Sequence, residues 1–410
     1  MEQLESGQSF NNRIYFIKLS PSTSNDHPSS QSQTPRWEEA VLKVSGKFFG
    51  RDKVQNEVVC LLLQEKYCPS VPAPRVLAWA DDGDTIRRVI RSASAEADGI
   101  STDIAIPNVP LAPEGSGRGW ILMTRRSGRT LRHDDLQKKR GDDLMRQLAQ
   151  FMAQWRQQLP QTVSIGNLKL EQSDTSLRFD GVYASVFNAA LRTHVDGLLL
   201  CDYVPPGPIA SRLDYYRVKL IDQLRKLETE ALFTANRAEL SPLIQRFMQD
   251  SLPNLSLFYR SIIDDFTFTH YDFSPRNILV SEDDPPYVTG VLDFAFAGFF
   301  PGEEEFMNNA IANAGDWSVA SFDIFLTELE NLGVKTPLSG MDKDAWQEAC
   351  KLVQIIGDIA PWHLREGGVQ GEELEAELNE GAQRIRQNVA FLTRTHKVIK
   401  HFKQDITLRR

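Results

Sequence analysis

Residues 269–294 read THYDFSPRNILVSEDDPPYVTGVLDF, and four polar side chains recur there among apolar ones: His270, Asp272, Asn277 and Asp293. Ile278-Leu279-Val280 is a short aliphatic run, Asp283-Asp284-Pro285-Pro286 is turn chemistry, and Val288 to Phe294 is a second apolar run. This pattern predicts a β-hairpin. A carboxylate at Asp293, inside a run that reads as buried, is costly unless it is paired or bound to a metal. With Asn277 just before the first strand and Asp293 on the second, the two lie close across the expected hairpin. Two oxygen ligands so placed suit Mg²⁺, which takes one or two protein ligands and completes its shell with substrate phosphates. Asp272, on the loop entering the hairpin, is placed to accept a proton from a hydroxyl attacking a phosphate. The other reading of the same residues is a structural hairpin with one satisfied buried aspartate.

The spacing H-x-D-x-x-x-x-N, followed by a strand-borne Asp, is the catalytic arrangement of kinase-like phosphotransferases. More narrowly, HYDFSPRNILV and VLDFAFAGFFP resemble the aminoglycoside phosphotransferase family and its choline kinase-like relatives. The family's usual form is H-G-D-x-x-x-x-N, then I-D-W or I-D-F. The resemblance implies an ATP-dependent enzyme that phosphorylates a hydroxyl of a small molecule. It gives Asp272 the acceptor hydroxyl, Asn277 and Asp293 the Mg²⁺ ions, and His270 a bracing part in the loop.

Composition fits a soluble globular chain. The 410 residues are long enough for two lobes with cores, and 41% hydrophobic with 25% charged is ordinary. Fifty-five acidic against 46 basic residues give a net charge of -9, which argues against a nucleic-acid partner. Cys60, Cys68, Cys201 and Cys350 form no C-x-x-C pair, so neither a zinc site nor a disulfide framework is indicated. The beginning MEQLESGQSF lacks a signal peptide's apolar stretch, and no run reaches the ~18 apolar residues of a membrane helix. These features predict a cytoplasmic protein with no membrane partner.

Along the chain, Ile14–Ile17 and Ala40–Val44 read as strands separated by PSTSNDHPSSQSQTP, residues 21–35, whose composition predicts a disordered loop. Residues 91–119 form a second polar, glycine-rich stretch. Lys43 lies within the strand V-L-K-V, and Val54 to Lys66 has helical periodicity with Glu57 on its first turn. Edge-strand charge is the ordinary use of such a lysine. In the resembling family a strand lysine holds the α and β phosphates of ATP and a helix carboxylate holds the lysine, which implies a Lys43–Glu57 pair. The family places its phosphate-covering turn at Gly7–Asn12, with Ser9 and Phe10 against the nucleotide, and its adenine-binding hinge at Ile121–Arg126, near Thr124 and Arg126. Ser127-Gly128-Arg129-Thr130-Leu131 matches its G-x-x-L exit.

Helical stripes follow at Leu144–Trp155, Tyr216–Leu227 and Leu374–Leu392. The order predicts an α+β, two-lobed, protein-kinase-like fold. Its small strand-rich N-lobe would span 1–126, and its large, mainly helical C-lobe would span 127–410 and carry the catalytic hairpin. Ala360-Pro361-Trp362-His363 resembles a C-terminal patch of fungal members.

Two departures bear on activity. Tyr271 replaces the family's glycine and would strain the loop if the backbone there needs a positive φ. Ala295 stands where many relatives carry an acidic residue. A catalytically silent kinase-like binding protein is therefore the alternative. A protein kinase is disfavoured, because Ser274 stands where those enzymes carry lysine and no A-P-E follows Asp293. Finally, Glu303, Glu304 and Glu305 are expected either near the acceptor, where they would favour a cationic substrate, or in a helix first turn.

Overall fold

The computed structural model describes residues 2–3, 12–18, 39–46, 50–91, 100–104, 119–137, 141–170, 193–195, 197–263, 266–307, 318–366 and 368–407. The chain divides into two compact units: residues 1–200 with 266–334, and residues 201–265 with 335–410. Among the described residues no helix is long and apolar enough to cross a membrane.

The first unit is built on an antiparallel sheet of β1 (Glu2–Gln3), β2 (Asn12–Lys18), β3 (Glu39–Ser45), β4 (Val76–Ala80), β5 (Arg87–Arg91), β6 (Ile100–Ile104) and β7 (Trp120–Thr124), in the order β1-β2-β3-β7-β4-β5-β6. Alternation decides which side of β3 faces what. Leu42 joins Ala78, Ala80 and Trp120 in a core against Tyr15, Ile17 and Val44, which leaves Lys43 on the opposite face.

Helix α1 (Gly50–Tyr67) lies against β4, β7 and the turn after Asp293. It is buried on almost every side from Lys53 to Gln64, as suits a helix apolar around most of its circumference. In the same unit the helix Gly141–Gln158 buries Leu144, Leu148, Met152 and Trp155 and packs on the helix Val319–Asn331.

The hairpin forms as Ile278–Val280 against Val288–Val291, with Arg129–Thr130 as a third strand. Gly128 precedes that third strand at φ +111, where an added Cβ would stand 2.4 Å from the Val280 carbonyl oxygen, so only glycine fits. One expectation is corrected. Asp293 is not on the second strand, which ends at Val291; it sits beyond it in a left-handed conformation (φ 62°, ψ 64°) and opens the 3₁₀ turn Phe294–Phe296. The positive φ takes the chain out of the ladder, a conformation aspartate adopts more readily than most residues.

The second unit is helical. Arg212–Thr229 and Thr234–Asp250 pack together, as do Lys343–Ile359 and Gly371–Thr407. Its buried face carries Tyr215, Tyr216, Leu220, Phe247, Leu352, Ile355 and Ile385. Ser211 and Asp342 cap two of these helices, accepting from Asp214 N and Ala345 N. The segment Trp362–Glu366 is a short helix with Trp362 exposed.

Candidate active site

Lys43 reaches from β3 to α1, and its ammonium donates to both oxygens of Glu57 at 2.8 and 2.7 Å. The same nitrogen donates to Asp293 Oδ1 at 2.7 Å. One cation therefore ties strand, helix and the end of the hairpin together. Burial works against the Lys43 charge, but Asp293 and Glu57 outweigh it and hold its pKa above the ordinary lysine value. Burial likewise opposes the Asp293 carboxylate, yet Lys43 brings it down to about 2. The Asp293 side chain stays a third accessible, so it remains open to a ligand.

α1 is held in register by a residue that pattern reading passes over. Asn56 is fully buried; its amide nitrogen donates to the carbonyls of Ala295 and Ala297, both at 2.9 Å, and its oxygen accepts from Leu168 N at 2.7 Å. This fixes the neighbouring Glu57 against the turn that follows Asp293. It also gives buried Ala295 a main-chain part that requires no acidic side chain.

The loop between the strands Thr267–Thr269 and Ile278–Val280 carries the other candidates. His270 is fully buried among Trp155, Phe273 and Phe294, with ring centroids 6.0, 5.7 and 4.6 Å away. Burial lowers its pKa to about 4, so the ring is neutral at neutral pH. Its Nδ1 accepts from Asp272 N at 3.3 Å, which leaves Nε2 to donate to the Leu292 carbonyl at 2.9 Å. His270 thus joins the loop to the residue before Asp293.

Asp272 accepts from Asn277 Nδ2 at 2.9 Å and is paired with the Arg276 guanidinium. Burial raises its pKa to about 6, with the Asp293 charge adding to the rise and Arg276 and Asn277 opposing it. Asn277 also donates to the Asp272 carbonyl at 2.8 Å, and its own carbonyl accepts from Leu292 N at 2.8 Å. These bonds place Asn277 and Asp293 at facing ends of the hairpin and leave the Asn277 side-chain oxygen open.

Tyr271 has φ 69°, the strained region anticipated for this position. Its ring is buried against Phe300 at 4.9 Å between centroids, and its hydroxyl donates to Glu304 at 3.3 Å. The packing offsets a backbone cost of about 1–2 kcal/mol. Glu303, Glu304 and Glu305 are 0%, 0% and 1% accessible, which corrects the expectation that they face a solvent-borne acceptor. Only Glu304 and Glu305 enter a helix, the single turn Glu304–Met307. Glu305 accepts from the His270 main-chain N at 2.5 Å, and burial raises its pKa to about 7 despite the nearby Arg156 and the His270 and Tyr271 N–H groups.

Thr124 ends β7, with its main-chain N donating to the Arg75 carbonyl at 2.9 Å; Arg126 follows, its side chain donating to the Thr289 carbonyl at 3.0 Å. Neither touches the Lys43 cluster. Ser9 and Phe10 lie outside the described residues. A second buried lysine, Lys53, was not anticipated; its signal was its spacing four residues before Glu57, which puts both on one face of α1.

As a holder of Mg²⁺ the pair fits: an amide oxygen and a carboxylate oxygen are hard donors, and both are open. Among the described residues no cluster of three or more His, Cys, Asp or Glu could hold a metal alone.

No curated protein matches the chain by sequence. Among solved structures, the ADP-bound aminoglycoside phosphotransferase APH(2'')-Ib is similar at a TM-score of 0.51 and 13% identity, covering 95% of this chain and 93% of that one. Macrolide 2'-phosphotransferase type I gives 0.44 and 13%, covering 92% and 89%. An ethanolamine kinase of Plasmodium vivax gives 0.44 and 10%, covering 92% and 79%. The family model described as the phosphotransferase enzyme family matches residues 33–323, from just before the strand of Lys43 to beyond Glu305. With that span holding the whole Lys43–Glu57–Asp293 network and the Asp272 loop, the chain belongs to the phosphotransferase enzyme family and is an enzyme of the kinase-like fold.

Proposed function

We propose that this enzyme transfers the γ-phosphate of ATP to a hydroxyl of a small molecule. The observation that carries the reading is the Lys43 ammonium held at 2.7–2.8 Å by both Glu57 and Asp293, beside a loop in which Asp272 accepts from Asn277 and is paired with Arg276. Phosphoryl transfer asks for positioning and charge neutralisation more than covalent chemistry. Lys43 holds the α and β phosphates, with Glu57 orienting it. Asp272, mostly ionised above its pKa of about 6, accepts the acceptor's hydroxyl proton as the oxygen attacks the γ-phosphorus. Asn277 and Asp293 hold Mg²⁺, which when bound neutralises phosphate charge. His270 and Glu305 position the loop. Thr124 and Arg126 mark the adenine end.

A small acceptor is favoured over a protein one by Ser274, which stands where protein kinases carry lysine and is fully buried, and by the lack of an A-P-E after Asp293. ATP as donor agrees with a cytoplasmic setting.

The test is a phosphotransfer screen of hydroxylated metabolites with ATP and Mg²⁺, read by mass, on the unaltered protein and Asp272→Asn. The variant is expected to bind nucleotide normally and to transfer about 10²- to 10⁴-fold more slowly. Nucleotide binding without transfer to any acceptor, in both proteins alike, would return the chain to a silent binding role.

A further inference from the structure

Lys53 stands one turn before Glu57 on α1, and its side chain is buried, with 2% of the residue accessible. Its ammonium donates to Asn12 Oδ1 at 2.8 Å and lies 5.9 Å from the centre of the Phe296 ring. Among the described residues no carboxylate is within ion-pair distance of it; the nearby Glu57 and Asp293 are both bonded to Lys43. An amide oxygen and a ring face tolerate an ammonium but do not neutralise it. A buried cation without a paired anion is costly, and such groups persist where a ligand brings the missing charge. Burial, and then the charge of Lys43, lower the Lys53 pKa to about 8, so the amine is poised to take up an anion with its proton.

The surroundings say which anion. Asn12 opens β2, Phe296 lies three residues past Asp293, and the Lys43 cluster is close enough to act on Lys53 through its charges. Glu57 and Asp293 are both engaged by Lys43, so among the described residues the Lys53 ammonium has an amide oxygen and no carboxylate within ion-pair distance. We infer that Lys53, steadied by Asn12, is a second phosphate-binding lysine of the nucleotide site, directed to the outer phosphates of a nucleoside triphosphate. This rests on the phosphotransferase reading above.

The test is calorimetric binding of ATP, ADP and AMP with Mg²⁺ to the unaltered protein, Lys53→Met and Lys53→Gln. Methionine keeps the length without the charge, and glutamine keeps a donor for Asn12 without the charge. Both are expected to lose about 10- to 100-fold in ATP affinity, less for ADP, and little for AMP. The unliganded Lys53→Met protein should melt no lower than the unaltered one, because an unmatched buried cation has been removed.

Equal losses for ATP and AMP, recovery in the glutamine variant, or a lowered melting point of the unliganded methionine variant would each make Lys53 a structural residue and overturn the inference. An unaltered protein that binds none of the three nucleotides overturns the phosphotransferase reading itself. Tight ATP binding that survives both substitutions overturns this inference alone.

Discussion

Replacing Arg276 by methionine should move the acid limb of the pH–rate profile upward, and the size of the move follows from the Asp272 environment. Asp272 is 16% accessible in its side chain and has a pKa of about 6, set first by burial, which Arg276 opposes, with Asp293 adding a smaller rise. A base must be ionised, and kcat/KM reports the free enzyme, the state described above. For the unaltered protein kcat/KM should therefore be half-maximal near pH 6 and about tenfold below its plateau at pH 5.

Arg276 is 58% exposed, so its hold on Asp272 is weakened by solvent. Discounted for this, its removal should raise the midpoint by roughly half to one pH unit. At pH 6 the variant would then run at about a tenth to a quarter of its own plateau. The assay is kcat/KM for an acceptor found by the screen, from pH 5 to 9 at fixed ionic strength and subsaturating ATP, so that the profile reports the enzyme before either substrate binds. A midpoint that stays put or falls would refute the electrostatic account of Arg276. A profile for the unaltered protein that is flat down to pH 5 would remove Asp272 as the base.

Three further outcomes are expected. Glu305 has a folded-state pKa of about 7 against an ordinary 4.5, so the stability it contributes is full below about pH 4.5 and lost as pH rises through 7, by about 3 kcal/mol. The stability difference between unaltered protein and Glu305→Gln, from urea unfolding at pH 4.5 and 7.5, should fall by that order; a difference that grows with pH refutes the assignment. Tyr271→Phe should cost about 1 kcal/mol for the hydroxyl's hydrogen bond. Tyr271→Gly should cost about 2–3 kcal/mol, a lost buried ring less the strain relieved, and a glycine variant more stable than the unaltered protein would show that the ring does not offset the strain.

The hairpin was legible because its signals are local: two aliphatic runs, a proline-rich turn, and polar residues at fixed intervals. The Lys43–Glu57 pair was legible through the family resemblance, since the sequence pattern alone gives a strand lysine and a helix carboxylate without joining them. What escaped was tertiary. Three consecutive glutamates look solvated, and nothing near them in sequence announces that Glu305 will accept from the His270 main chain or that Glu304 will meet Tyr271. Asn56 looks like a polar interruption of an apolar helix until the carbonyls of Ala295 and Ala297 stand opposite it. Asp293 was read as a strand residue because its neighbours are apolar, whereas its positive φ is set by the turn it opens.

Tyr271 and Asp293, the two non-glycine residues with positive φ among those described, flank the proposed base and metal positions, and each conformation costs about 1–2 kcal/mol. Strain of this kind persists only where surrounding structure over-determines it. Trp155 supplies such a surround, meeting Phe268, Phe273 and Phe294 edge-on at 6.0, 5.6 and 5.9 Å and His270 at 6.0 Å. At about 0.5–1.5 kcal/mol per aromatic pair beyond burial, these contacts are of the same size as the strain they oppose. The apolar core behind the loop therefore reaches the proposed site: it holds the backbone at Tyr271 and Asp293 in conformations that the chain alone would leave.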